Sequence, residues 1–296
     1  MPPFYLHFFV IGAQKCATSW LYYCLRDHPR IRVPQHKIEY GYLGGKTFHE
    51  KGEAWYFNRF PQSSGEPVNG EVAVDYMLDP TVPEQLPPYT RDPKFIALLR
   101  HPVERMISAY YWSVRRSQLP NRPLAEGLAP FLQQAPGFPE RCANRYFDEL
   151  VRRGFYGEHL ETYLRFFEPS RVMVVLYDEV RQAPHEVIRR VYRHIGVDDD
   201  FMPPSLHTKP KKNTYNKAIV AFERLSKGRE LRRIADLAHR VLARLQAKQK
   251  GPPLPPDVHA RLVELFRPHI SHTQKVLRSL PPANRPADID LIKLWN

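Results

Sequence analysis

The chain has 296 residues, 43% of them hydrophobic and 25% charged, an ordinary globular composition that excludes an intrinsically disordered chain. No apolar run approaches the roughly 18 residues of a membrane span, the start MPPFYLHFF lacks the features of a signal peptide, and three cysteines (Cys16, Cys24, Cys142) without CxxC spacing indicate neither a disulfide framework nor a zinc site, so a soluble, cytoplasmic protein is expected. The formal charge of +13 fits either plain solubility or an anionic partner: a nucleotide, nucleic acid, an acidic or sulfated glycan, or a membrane surface.

Phe4 to Ile11 is a continuous apolar and aromatic run with the length of a buried strand. It ends at Gly12-Ala13-Gln14-Lys15-Cys16-Ala17, after which Thr18 to Leu25 reads as a helix closed by His28-Pro29. Further short apolar strands are expected at Val72–Val74, Lys94–Leu99 and Val172–Tyr177, with helices at Val103–Arg116, Tyr156–Phe167 and His185–Ile195. Buried strands alternating with helices predict an α/β fold with a largely parallel sheet, whose ligands lie at the carboxyl ends of strands. The loops after Ile11, Leu99 and Tyr177 are therefore the candidate sites.

From about Lys209 the character changes. Lys209–Lys212 is a basic loop, and Lys217–Lys250 reads as a long helix with ten Lys/Arg and three Asp/Glu. A last helix, Asp257–Leu277, precedes a proline-rich tail ending DIDLIKLWN. One domain is expected over 1–296, an α/β core to residue 208 and a helical C-terminal part of the same domain from 209.

Gly12 to Ser19, GAQKCATS, approximates the P-loop pattern GxxxxGK[ST] but has Ala17 at the second glycine and Thr18 at the lysine. The physics of a phosphate cradle survives: a loop at a helix N-terminus offers backbone N–H groups and the positive end of the dipole, and Lys15, Thr18 and Ser19 add donors. The competing reading has Thr18 or Ser19 merely capping the helix and Lys15 in solvent. In KFIALLRHPVERMISAYYW, Arg100 follows a buried strand and Ser108 falls inside the next helix. An arginine at that strand end can bind a phosphate bidentately.

Together these motifs resemble the sulfotransferases that use 3′-phosphoadenosine 5′-phosphosulfate (PAPS), in the carbohydrate (heparan-type) and bacterial branches. FFVIGAQKCATSWLYYCLRDHP resembles the family's 5′-phosphosulfate loop, and ALLRHPVERMISAYY its 3′-phosphate motif. GEAWYFNRFP, GEVAVDYMLDPTVPEQL and RRGFYGEHLETYLRFFEPSRVMVVLYDE are similar to the intervening and following segments. The likeness covers roughly residues 5–200 and, more loosely, the last helix and closing DIDLIKLW.

The resemblance implies a P-loop-like fold and a transferase that passes a sulfuryl group in line to an acceptor hydroxyl or, second, an amine of a carbohydrate or small metabolite, with no metal required. It assigns the 5′-phosphosulfate to Gly12, Gln14, Lys15, Cys16, Ala17, Thr18 and Ser19, with Lys15 also catalytic, and the 3′-phosphate to Arg100 and Ser108. Lys211 and Lys212 would contribute from a cofactor-closing loop. A general base is expected near the loop mouth. Here PQHKIEYGY departs from the heparan-type pattern, and Glu39, with His36 second, is the candidate. His101 stands where the family usually has aspartate.

Trp55, Tyr56, Tyr76, Tyr110, Tyr111 and Trp112 are either cleft-lining or core aromatics. Two other classes compete. Asp178-Glu179 at the end of VMVVLYDE imitates the magnesium-holding strand end of an ATP-dependent kinase or NTPase. The basic face of Lys217–Lys250 suits a non-catalytic binder of nucleic acid or anionic membrane, against a surface helix packed on the domain. No specific nucleic-acid partner is expected, and the oligomeric state is open.

Overall fold

LHFFVIG forms strand β1 (Leu6–Gly12), which is buried along almost its whole length, the condition of a central strand covered on both faces. The computed structural model describes residues 5–35, 42–61, 66–115, 118–119, 122–132, 145–208, 254–287 and 290–295. Four more strands join β1: β2 (Ile31–Arg32), β3 (Val68–Val72), β4 (Thr90–Leu99) and β5 (Val172–Leu176). Their order is β2-β3-β1-β4-β5 and every pairing is parallel. Eleven α-helices are described between and after them: α1 (Thr18–Asp27), α2 (Lys46–Phe57), α3 (Val82–Gln85), α4 (Pro102–Arg115), α5 (Leu124–Leu132), α6 (Arg145–Arg152), α7 (Tyr156–Leu164), α8 (Tyr177–Gln182), α9 (Pro184–Ile195), α10 (Pro256–Ser279) and α11 (Leu291–Leu294). This is the expected α/β architecture with a central parallel sheet.

The topology fixes where a ligand can sit. From β1 the chain moves to the β2–β3 side of the sheet, and from β4 it moves to β5 on the other side. The crevice outside the carboxyl ends of β1 and β4 is thus the topological switch point. β1 reaches it with Gly12 opposite Ala97, after a register shift between Val10 and Gly12.

The chain divides into two units. One comprises Met1–His101, Phe155–Pro210 and His269–Asn296, and the other Pro102–Gly154 and Lys211–Pro268. The first holds the sheet. Phe9 stacks on Phe95 of β4 and meets Tyr76 edge-on, with centroids 5.6 and 5.4 Å apart. Phe8 lies across Gly70 of β3 so closely that a Cβ there would fall 2.2 Å from its ring. α1 buries Trp20, Leu21, Cys24 and Leu25, and Tyr192 of α9 donates its hydroxyl to the Cys24 carbonyl at 2.8 Å. It stops at His28, whose extended backbone precedes Pro29. In the second unit the fully buried Arg105 of α4 donates to the Leu150 carbonyl of α6, and Tyr110 donates to the Arg122 carbonyl at 3.0 Å.

The strand expected at Val72–Val74 is displaced: β3 ends at Val72. Its middle is Asn69-Gly70-Glu71, polar or small residues that break the apolar run. Each polar one is buried with partners: Asn69 donates to the Tyr5 carbonyl at 2.9 Å, and Glu71 is held as described below. After the strand, Ala73 and Met77 still donate backbone N–H groups to Val10 and Ile11 at 3.1 and 2.9 Å. The helix expected at Tyr156–Phe167 ends at Leu164. The last long helix carries Pro268 in its interior. The basic loop Lys209–Lys212 and the helix expected at Lys217–Lys250 lie outside the described residues.

Candidate nucleotide site

The loop after β1 is built from residues in unusual conformations. Lys15 and Ala17 both have left-handed backbones, with φ of 70° and 71°, at a cost of about 1–2 kcal/mol each. Ala17 stands where the P-loop pattern has glycine, and it takes glycine's conformation despite its Cβ. Cys16 between them is at negative φ, so the sign of φ alternates as it does in an anion-binding nest. Ala17 is also the N-cap of α1 and supplies no side-chain cap. The first turn of a helix has no intrahelical acceptors for its N–H groups, and the dipole adds positive potential there. The N-cap position is thus held by Ala17, with Thr18 and Ser19 the first residues of the helix.

The loop is anchored from below. Ala13 donates to the Leu98 carbonyl of β4 at 2.9 Å. Gly12, at φ 156°, has no room for a side chain: a Cβ would lie 3.0 Å from Cβ of Met77 and 3.1 Å from its sulfur. Ala13, Cys16 and Thr18 are buried, Gln14, Lys15 and Ala17 half-buried, and Ser19 exposed. The polar side chains thus grade outward from a fixed floor.

Arg100 leaves the end of β4, across the switch point from this loop. Its guanidinium carbon lies 4.8 Å from the ring centroid of Tyr177, at the start of α8. Its carbonyl accepts the hydroxyl of Tyr156 at 2.8 Å. The same hydroxyl is 4.0 Å from Sγ of Cys16, so one buried tyrosine touches both the phosphate loop and the arginine's backbone. The next residue, His101, faces Trp295, whose ring also meets Tyr156 edge-on; the centroids are 6.2 and 6.3 Å apart. The closing segment therefore packs beneath the Arg100-His101 turn. Ser108 lies eight residues on, half-buried in α4, within the second unit. His36, Glu39, Lys211 and Lys212 lie outside the described residues.

The sequence reading missed one feature of the sheet. Glu71, 1% exposed, accepts the hydroxyls of Tyr56 and Tyr76, each at 2.5 Å, and faces Arg59 at 3.6 Å. It also accepts from the Leu43 backbone at 3.3 Å, and Leu43 donates to the Tyr76 oxygen at 3.0 Å. Burial holds its carboxyl above the usual range, opposed by Arg59 and the two hydroxyls. Tyr56 and Tyr76 titrate well above an ordinary phenol, first through burial and then through the neighbouring carboxylate. The available signal was a glutamate at the centre of an otherwise buried strand between aromatic-rich segments.

Several aromatic candidates are core. Tyr56, Tyr76 and Tyr110 are buried, whereas Trp55, Tyr111 and Trp112 are half-buried. Trp55 carries the cations of Lys51 and Arg59 about its ring at 5.2 and 5.3 Å. Glu179 of the Asp178-Glu179 pair is committed to protein partners rather than open to a magnesium ion. Both oxygens of Glu179 are engaged in starting α8, one accepting Leu176 N–H at 2.7 Å and the other paired with Arg190 at 2.6 Å.

A family model described as "Sulfotransferase domain" matches residues 6–274. Heparan sulfate glucosamine 3-O-sulfotransferase 3B1 of Mus musculus is 27% identical over 188 residues, 64% of this chain and 45% of that protein. Heparan sulfate glucosamine 3-O-sulfotransferase 6 of Homo sapiens is 26% identical over 276 residues, 88% and 68% of the respective chains. The chain thus spans less than half the length of the first of these relatives. Among solved structures, a sulfotransferase from Alicyclobacillus acidocaldarius superimposes with a TM-score of 0.65 at 22% identity, covering 92% of this chain and 96% of the other. That likeness is one of fold. Among the described residues, no helix is long and apolar enough to cross a membrane.

Proposed function

The chain belongs to the sulfotransferase domain family, and from that premise we propose that it passes a sulfuryl group from PAPS to a hydroxyl of a carbohydrate or small-molecule acceptor. The observation that carries this reading is the placement of the Gly12–Ser19 loop and Arg100 at the carboxyl ends of adjacent strands β1 and β4. Two anion-binding elements on either side of a switch point suit a nucleotide with phosphates at both its 5′ and 3′ positions. The names of the curated relatives, glucosamine 3-O-sulfotransferases, favour a sugar hydroxyl as acceptor.

In this reading the backbone of Gln14–Ser19 holds the 5′-phosphosulfate, and the hydroxyls of Thr18 and Ser19 add donors. Lys15 stabilises the charge that builds on the bridging oxygen as the bond from sulfur to that oxygen breaks. Arg100 binds the 3′-phosphate, with Ser108 assigned to the same group by the sequence motif alone. The acceptor oxygen forms its bond to sulfur on the opposite side and gives its proton to Glu39, with His36 as the second candidate. The sequence resemblance alone assigns Lys211 and Lys212 to the same nucleotide. The protein's contribution is placement and electrostatic stabilisation, as in phosphoryl transfer.

The test is transfer from labelled PAPS across a panel of sugar and small-molecule acceptors. Arg100→Ala should raise KM for PAPS, and Lys15→Ala should lower kcat by about 100-fold or more, the scale of losing one preorganised donor. Parent-like transfer by both variants refutes the assignment. Tight ATP·Mg²⁺ binding with no preference for 3′-phosphoadenosine 5′-phosphate would favour a kinase instead.

A further inference from the structure

Tyr156 touches both anion-binding elements, the Cys16 side of the loop and the backbone of Arg100. Its hydroxyl donates to the Arg100 carbonyl at 2.8 Å and lies against Cys16 Sγ at 4.0 Å, while the Cys16 thiol donates to the Gln14 carbonyl at 3.6 Å. The ring is 1% exposed. Its base is pinned as well: the neighbouring Gly157 N–H donates to Thr273 Oγ1 at 3.0 Å, and a Cβ on Gly157 would lie 2.9 Å from the Thr273 backbone nitrogen. Trp295 closes the ring's edge. Nothing in this arrangement requires a hydroxyl for packing, since a phenylalanine fills the same space.

We propose that Tyr156 is a positioning residue that sets the distance between the phosphate loop and Arg100, and so selects nucleotides carrying a 3′-phosphate. The inference rests on the reading of Arg100 given above. Arg100 is fixed at two points, its carbonyl by Tyr156 and its guanidinium against Tyr177. Without the hydroxyl, β4 stays paired and Ala13 still holds Leu98, but the Arg100 carbonyl one step beyond loses its tie to the tyrosine that packs on Cys16, and the guanidinium loses its register with a nucleotide seated in the loop. A ligand that engages only the loop is indifferent to that loss. A ligand that spans both elements is not.

The experiment measures affinity for 3′-phosphoadenosine 5′-phosphate and for adenosine 5′-phosphate by calorimetry in the parent, Tyr156→Phe, Arg100→Ala and the double variant. Urea midpoints of the same preparations establish that each variant is folded. Tyr156→Phe should weaken the bisphosphate about tenfold, the scale of one lost hydrogen bond, and leave the monophosphate within about twofold. In the Arg100→Ala background it should cost the bisphosphate nothing more. Equal weakening of both ligands, or full additivity of the two substitutions, overturns the proposal in favour of a packing role. If Arg100→Ala abolishes the discrimination and Tyr156→Phe preserves it, the proposal fails and the reading of Arg100 stands. If Arg100→Ala itself leaves the discrimination intact, the underlying reading fails with it.

Discussion

Removing the carboxylate of Glu71 should be among the most damaging single changes in the sheet. Glu71→Ala leaves the hydroxyls of Tyr56 and Tyr76 without the acceptor they share at 2.5 Å. Both phenols are fully buried, so neither can turn to water. A buried donor left unsatisfied costs about 1–3 kcal/mol, and Arg59, its side chain 10% exposed, loses its counter-ion as well. Breaking a buried pair from one side is worth about 3–5 kcal/mol, which is where the sum should fall. With an m-value of about 3 kcal/mol/M for urea, the unfolding midpoint should drop by about 1–1.7 M. Glu71→Gln keeps an acceptor oxygen for the hydroxyls and should lose about half as much. The pH dependence supplies a second reading. The folded carboxyl titrates above its unfolded value of 4.5, so the native state binds its proton at higher pH. Its contribution is therefore greatest below pH 4.5 and is lost as pH rises through the folded value. Wild type minus Glu71→Gln should isolate that falling limb. A loss below 1 kcal/mol in the alanine variant, or a difference curve that rises with pH, would show that the cluster does not hold the sheet in this way.

His194 should make the opposite contribution. Burial, with Lys94 adding to it, lowers its imidazole to about 4 from 6.5, so stability is whole above 6.5 and is lost as pH falls toward 4, by about 3 kcal/mol; denaturant melts at several pH values should show this slope, and His194→Gln should lack it. Gly12→Ala should lower both stability and nucleotide affinity, by about 1–3 kcal/mol in stability. Its Cβ meets Met77, and its φ of 156° disfavours any side chain. Adding Met77→Ala should recover part of the stability but not the affinity, and complete recovery of both would refute a backbone role for Gly12.

What the sequence made legible depended on how local the signal was. β1, β4 and β5 announce themselves because each is an apolar run whose burial needs no polar partner. β3 does not, since Asn69 and Glu71 read as loop residues until Tyr5, Tyr56 and Tyr76 are brought to them by the fold. α2 is hidden for another reason: Gly52, at φ 79°, breaks its helical pattern from within. The phosphate loop was visible because its chemistry is contiguous, eight residues from Gly12 to Ser19. Its coupling to Arg100 was not, because Tyr156 is 140 residues from Cys16 and looks like any aromatic of a helix start. A site's donors can be read from a motif, whereas the residues that set the distances between motifs are spread through the chain and are chemically ordinary.

The same distinction applies to charge. Between Lys209 and Lys250 the chain carries thirteen Lys and Arg against three Asp and Glu, so most of the +13 is concentrated there. The other segments are close to neutral, and many of their arginines are engaged with carboxylates: Arg152 with Asp148, Arg171 with Asp92, Arg190 with Glu179, Arg193 with Asp199 and Arg267 with Glu264. Within the described segments, pairing of this kind leaves little net charge to draw an anion to the β1–β4 crevice. In the proposed reading the loop acts locally, through the backbone at Lys15 and Ala17, an α1 terminus whose N-cap supplies no side-chain cap, and an arginine at the neighbouring strand end. In the proposed reading, anion affinity in this crevice comes from backbone conformation first and from net charge second. That is why an alanine in the conformation of a glycine is more telling here than another lysine would have been.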